Sequence, residues 1–200
     1  MRTRGREDTK NVISERVRAL TMTAFLCAFV CVLSPFSIQV GPIPLTLASF
    51  AIYIVAAVSP PPMASGALFL YIFLGSLGMP VFSGFEGGIG KLTGPTGGYI
   101  VGFFILALSA SSIIGVLGRR KWSFPFAMTV GTLLLYAFGT AWYSIYTGIG
   151  FAESAAACVL PFLLPDAVKI TAASVIGISL DSRRALSRYL RRERRDDRRD

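Results

Sequence analysis

Two ionisable side chains stand three residues apart in the last apolar stretch of the chain. They are Asp166 and Lys169, in the run Leu163-Leu164-Pro165-Asp166-Ala167-Val168-Lys169. On a helix, residues at i and i+3 share a face, with Cβ atoms about 5–6 Å apart. Apolar residues flank the pair from Ala155 to Leu180. In a bilayer each isolated charge costs about 2.5–3.5 kcal/mol even on the mildest insertion scales. Such a pair is either a self-neutralising structural device or a polar site facing a cavity, and an intramembrane ionisable residue reads by default as the second.

The composition demands a bilayer. Of the 200 residues 53% are hydrophobic and only 16% charged, and mean hydropathy is +0.60. From Ala19 to Gly118 the only formal charges are Glu86 and Lys91. A soluble domain covers its surface with Lys, Glu, Arg and Asp, and this chain lacks the material. It reads as an all-α integral membrane protein.

A helix needs about 20 apolar residues to cross a bilayer. About six candidate transmembrane helices run over 18–36, 45–58, 63–78, 97–118, 124–147 and 160–180. The second and third are short and separated by Ser59-Pro60-Pro61-Pro62. Proline cannot continue a helix and biases its predecessor towards extended backbone, so two helices are expected there. No segment shows the polar/apolar alternation of a barrel strand. The expected organisation is an N-terminal tail over 1–17, one membrane domain over 18–181 and an Arg-rich tail over 182–200.

Basic residues set the expected orientation. Arg2, Arg4, Arg6, Lys10, Arg16 and Arg18 precede the first span, Arg119-Arg120-Lys121 joins the fourth to the fifth, and nine arginines follow Ser182. With six spans these three clusters share one side, which the positive-inside rule makes cytoplasmic. Both termini are then cytoplasmic, in a multi-pass protein of a bacterial plasma membrane. The net charge of +9 does not imply nucleic-acid binding. Glu193, Asp196, Asp197 and Asp200 dilute the tail, and Tyr189 is its one aromatic. Topology and contact with anionic lipid explain that tail better. The first apolar stretch ends at Ser34-Pro35-Phe36 without a small-residue cleavage motif, so it reads as a span and not a removable signal. Cys27, Cys31 and Cys158 lack metal-binding spacing and imply no disulfide framework, and the chain has no histidine. No metal site or covalent cofactor is expected.

A second informative stretch lies between the third and fourth spans. Glycines at 78, 84, 87, 88, 90, 94, 97 and 98 allow close backbone approach, either to a ligand or between helices. Pro95 and Thr96 suit the start of a helix, whose free N–H groups can meet a polar group. No Gly-Lys-Ser/Thr ends the run, so it is not a nucleotide-binding loop.

The runs Gly78-Met79-Pro80-Val81-Phe82, Gly87-Gly88 with Leu92, and Gly94-Pro95-Thr96-Gly97-Gly98-Tyr99 resemble the signature of the BioY family. Those proteins are biotin-binding S components of energy-coupling-factor (ECF) vitamin importers. Pro42-Ile43-Pro44-Leu45-Thr46, Tyr71-Ile72-Phe73-Leu74-Gly75, Gly139-Thr140-Ala141-Trp142 and Pro161-Phe162 through Asp166 and Lys169 extend the resemblance across the membrane region. One position departs: Ala48 stands where the family commonly has glutamine.

The resemblance implies an ECF S-component fold of six helices and an outward-facing site for biotin, without enzymatic activity. The expected substrate-binding residues are Asp166, Lys169, Tyr99, Thr96, Gly94, Gly97, Gly98 and Thr46. Asp166 would accept ureido N–H groups, Lys169 would donate to the ureido carbonyl or pair with the carboxylate tail, and Tyr99 would cover the apolar ring. Phe82, Phe85, Trp142 and Tyr143 are further wall candidates, each read first as a core or lipid-facing residue and only then as a ligand contact. The implied partners are a transmembrane T component and a pair of ABC-type ATPases, since the chain has no nucleotide-binding loop. Ala24 and Ala28 form a small-xxx-small pair on the first helix and are the expected docking face. Oligomeric state stays open. Two other readings also remain: an S component for another vitamin, and a small membrane enzyme or structural subunit using Asp166 and Lys169. The latter would usually show a nucleophile or metal cluster, and none is visible.

Overall fold

The computed structural model describes the backbone of residues 2–196 and the side chains of residues 15–182. Helix α1 (Arg2–Leu33) leads into a two-stranded antiparallel hairpin, β1 (Ser37–Gln39) and β2 (Pro44–Thr46). Then come α2 (Ala48–Val58), α3 (Pro61–Ser76), the short α4 (Ile89–Thr93), α5 (Gly97–Leu117), α6 (Ser123–Thr147), the short α7 (Phe151–Cys158) and α8 (Leu160–Asp196). The basic N-terminal cluster through Lys10 and the arginines from Arg183 lie outside the described side chains. Their expected roles in topology and lipid contact therefore stay with the sequence.

Four helices among the described residues are long and apolar enough to cross a membrane: Glu15–Leu33, Gly97–Leu117, Ser123–Thr147 and Leu160–Ser182. The other two expected spans are shorter helices, of 11 residues in α2 and 16 in α3. At about 1.5 Å per residue they rise roughly 16 and 24 Å, less than a full hydrocarbon core. Most of α2 is buried inside the bundle, so it is a central element and not a lipid-facing one.

The proline run separates these two helices as expected. Pro60 is extended and α3 begins at Pro61, where the missing N–H costs nothing. The Ser59 hydroxyl closes α2 by donating to the Val55 carbonyl at 2.6 Å. Positive φ at Gly78 (99°) turns the chain out of α3, a conformation only glycine adopts freely.

The core forms where α2, α3, α5, α6 and α8 converge. Ile52, Tyr53, Leu68, Phe82, Leu106, Phe124 and Met128 are fully or almost fully buried there. Large apolar side chains also point outward, including Phe25 (65% exposed), Phe69 (63%) and Val168 (64%). That pattern suits a bundle whose solvent is hydrocarbon.

The hairpin and α7 fall largely between the expected spans, after 36 and after 147, where the sequence signals no further element. Pro44 is tolerated in β2 because a two-stranded sheet has only edges. The two charges of the long apolar region pair with each other, Lys91 Nζ to Glu86 Oε2 at 2.5 Å. At the other end of the bundle Arg119 ties three elements together. Its Nε donates to Asp181 Oδ1 at 2.7 Å, and its Nη2 donates to the Ala57 carbonyl.

Candidate functional site

Helix α8 carries Asp166 one residue after Pro165, and the carboxylate turns inward, 5% exposed. Three elements supply its donors. Ser49 on α2 donates its hydroxyl to Oδ1 at 3.3 Å, Tyr136 on α6 donates to Oδ2 at 2.6 Å, and Lys169 donates to Oδ1 at 3.1 Å. The expected i,i+3 pair therefore forms, but inside a larger network. Lys169 Nζ also donates to the Thr46 carbonyl at 2.8 Å and to the Ser49 hydroxyl at 3.0 Å. An ammonium has three donors, and all three are engaged.

Burying such a group is tolerable only when its polar atoms are satisfied. Helix α6 provides much of that satisfaction. Thr132, Tyr136 and Thr140 lie four residues apart on one face, all buried, and each pairs with a different helix. Thr132 Oγ1 meets Tyr53 of α2 at 2.6 Å, Tyr136 reaches Asp166 of α8, and Thr140 Oγ1 meets Tyr99 of α5 at 3.1 Å. The stripe has an i, i+4, i+8 spacing within an apolar helix, the one sequence signal that marks it, and neither it nor Ser49 is among the residues expected at the site.

A cavity opens against the network. Asp166, Ser49, Tyr136, Thr46, Thr96 and Tyr99 supply polar groups, with Ser34, Tyr71 and Ser83. Ile43, Pro44, Ile100, Phe103, Leu135 and Phe162 make the apolar wall. A mostly apolar concavity with a few converging polar groups is the usual form of a small-molecule site. Two clefts adjoin it. A polar cleft shares Pro44, Ser83 and Thr96 and carries the Glu86–Lys91 pair, and an apolar cleft shares Thr46 and is lined by Phe36, Leu47, Phe85 and Lys169.

The expected site residues separate by position. Asp166, Tyr99, Thr96 and Thr46 line the cavity, while Lys169 touches Asp166 from the neighbouring cleft. Gly97 and Gly98 are used for close packing. A Cβ on Gly97 would lie 1.7 Å from the Leu92 carbonyl oxygen, and one on Gly98 would lie 2.2 Å from Trp142 Cβ. Gly94 accepts the Trp142 indole N–H at 3.0 Å. Thr96 precedes α5 at its N-cap, without a side-chain capping bond.

The wall candidates take core and surface positions. Phe82 is fully buried, edge-on to Tyr71, whose hydroxyl meets Ser34 Oγ at 2.5 Å. Phe85 is exposed against Phe36, and Trp142 spans from Gly98 to Gly94. Tyr143 is half-buried and packs on the core. Ala48, the departure from the family pattern, is fully buried, and the adjacent Ser49 brings the hydroxyl to the network. Ala24 and Ala28 are both exposed on α1.

A multi-pass membrane bundle that holds, among the described residues, a buried and hydrogen-bonded carboxylate at the wall of an apolar cavity has the build of a binding subunit. The fold matches a solved structure titled the S-component for biotin from an ECF-type ABC transporter, with a TM-score of 0.76 and 22% identity over 84% of this chain and 93% of that one. The family model of BioY matches residues 5–186. Among curated relatives, the probable biotin transporter BioY of Pyrococcus horikoshii is 35% identical over 162 residues, covering 81% of this chain and 95% of that protein. The biotin transporter BioY of Thermotoga maritima is 32% identical over 167 residues, covering 82% and 96%. BioY2 of Lactococcus lactis is 31% identical over 165 residues, covering 82% and 91%. The chain belongs to the BioY family.

Proposed function

We propose that this protein is the membrane-embedded subunit that captures biotin from the outer side for import. The observation that carries the reading is Asp166, a buried carboxylate at the wall of a largely apolar cavity. Biotin presents two ureido N–H donors, an apolar fused ring and a carboxylate tail. A carboxylate accepts N–H groups in a charge-assisted bond that gains strength away from water. Ile100, Phe103, Leu135 and Phe162 offer apolar surface to the ring system, and Tyr99 adds an aromatic face.

The pocket residues of this reading are Asp166, Tyr99, Thr96 and Thr46, with Lys169 behind the carboxylate. Gly94, Gly97 and Gly98 form the backbone that seats the loop over α5. The subunit binds and does not catalyse, and it works with a transmembrane T component and ABC-type ATPases in a bacterial cell membrane, both termini cytoplasmic. Ala24 and Ala28 on the exposed face of α1 form the docking contact.

The test is titration of the purified full-length chain with biotin and, separately, with chemically unrelated vitamins such as riboflavin. Saturable binding of one biotin per chain, with no competition from the others, is the expected result. Preferential binding of another vitamin, or none at all, overturns the assignment. Co-purification with tagged ATPase subunits tests the partners independently.

A further inference from the structure

Tyr136 lies outside the motifs that carried the family resemblance, yet its hydroxyl makes the shortest contact to the site carboxylate. The bond to Asp166 Oδ2 is 2.6 Å, against 3.1 Å for Lys169 and 3.3 Å for Ser49 on Oδ1. A carboxylate offers about four lone-pair sites, two on each oxygen. Lys169 and Ser49 fill those on Oδ1, and Tyr136 takes one on Oδ2. One site remains, on Oδ2.

The oxygen with capacity for a ligand is thus the one that, among the described residues, Tyr136 alone holds. The terminal torsion of aspartate is broad, so its rotamer alone does not set the carboxylate plane. The donors on both oxygens set it together, and Tyr136 is the one that acts on Oδ2, the oxygen with a lone pair left. Tyr136 is anchored for this task, 7% exposed, with its ring on the cavity wall beside Leu135.

We propose that Tyr136 is a positioning residue for ligand capture, holding Asp166 Oδ2 so that its remaining lone pair meets an N–H donor of the ligand. The inference rests on the biotin reading above and names the residue that orients its acceptor. An N–H donor gains from the fixed lone pair, so the effect of Tyr136 must run through Asp166.

A double-mutant cycle on the full-length, detergent-purified chain tests this. Biotin affinity is measured by titration for the unmodified protein, Tyr136→Phe, Asp166→Asn and the double variant, alongside thermal unfolding of each. Tyr136→Phe is expected to weaken binding by about tenfold, the scale of a hydrogen bond to a charged group. In the Asp166→Asn background the same change should matter less than about twofold, because coupled residues do not add. Equal losses in both backgrounds would mean that Tyr136 acts on the ligand or the fold directly, and the proposal would be wrong. Unchanged affinity in Tyr136→Phe, or loss of its fold, would overturn it too. Failure of the unmodified chain to bind biotin would instead remove the functional reading on which the inference rests.

Discussion

Asp166 and Lys169 meet at 3.1 Å within one turn of α8, and the same amine reaches the Thr46 carbonyl on β2 at 2.8 Å. A local pair on one helix therefore ties the hairpin to the bundle. Lys169 is engaged on all three donors, while Asp166 keeps acceptor capacity towards the cavity. The two charges neutralise each other, yet their roles differ.

Replacing Asp166 with asparagine keeps the shape and removes the charge. Hydrogen bonds to charged groups contribute roughly 1.5–3 kcal/mol, so biotin affinity should fall more than about tenfold. The protein should still purify folded, since the amide oxygen can accept from Ser49 and Lys169 while the amide N–H donates to the Tyr136 hydroxyl. Titration checks the first expectation and thermal unfolding the second. Unchanged affinity would remove Asp166 from the site.

Lys169→Met should behave differently. It leaves a buried carboxylate with only neutral donors, and breaking a buried pair from one side costs about 3–5 kcal/mol. It also frees the Thr46 carbonyl. A drop in thermal stability clearly larger than that of Asp166→Asn is expected, together with weaker binding. If Lys169→Met instead keeps stability and loses affinity alone, the amine contacts ligand and is not a brace.

The Asp166–Lys169 pair was legible because two charges in an apolar stretch are costly wherever they lie, and helical spacing puts them on one face. The four long spans were legible for a similar reason, since length and hydropathy alone define them. Ser49 and Tyr136 were not found. A single hydroxyl in an apolar helix is unremarkable in sequence, only the four-residue spacing of Thr132, Tyr136 and Thr140 marks that face of α6, and the partner carboxylate lies 117 residues from Ser49 and 30 from Tyr136. The hairpin stayed hidden because strands of three residues are too short for alternation to register. The glycine-rich loop was seen, but sequence alone cannot divide glycines that meet ligand from glycines that meet backbone. Gly97 and Gly98 pack on Leu92 and Trp142.

Gly139 offers a way to alter the pocket wall without replacing a polar side chain. A Cβ there would lie 2.6 Å from the Tyr99 ring, too close for any real contact. Gly139→Ala should push the ring towards the cavity, stretch the Tyr99–Thr140 bond and lower biotin affinity several-fold. Overpacking of this kind costs about 1–3 kcal/mol, so some loss of thermal stability should accompany it. Tyr99→Leu combined with Gly139→Ala should recover stability. Normal affinity in the single variant would place Tyr99 away from the ligand.

The loop before α5 depends on Gly97. Its nearest obstacle is the Leu92 carbonyl oxygen, a backbone atom that cannot swing aside. Gly97→Ala should therefore detach the 78–96 segment from α5 and lower both stability and binding. Gly115 on the same helix has open space around it, so Gly115→Ala is the matched control. That control should be neutral or slightly stabilising, since alanine favours helix by about 1 kcal/mol over glycine. Limited proteolysis of the loop reads the difference directly.

Coupling to partners is separable from binding. Ala24 and Ala28 lie four residues apart on α1, both exposed, while their neighbours Cys27 and Val30 turn into the core. Neither alanine lines the cavity. Close helix approach in lipid requires small residues, and a bulky side chain at either position would hold a partner helix away. Ala24→Trp with Ala28→Trp should leave biotin binding by the isolated subunit within about twofold, because nothing in the pocket moves. ATP-dependent uptake by the complex reconstituted with T component and ATPases should collapse. Parallel loss of binding would mean that this face packs within the subunit, and undiminished uptake would mean that partners dock elsewhere.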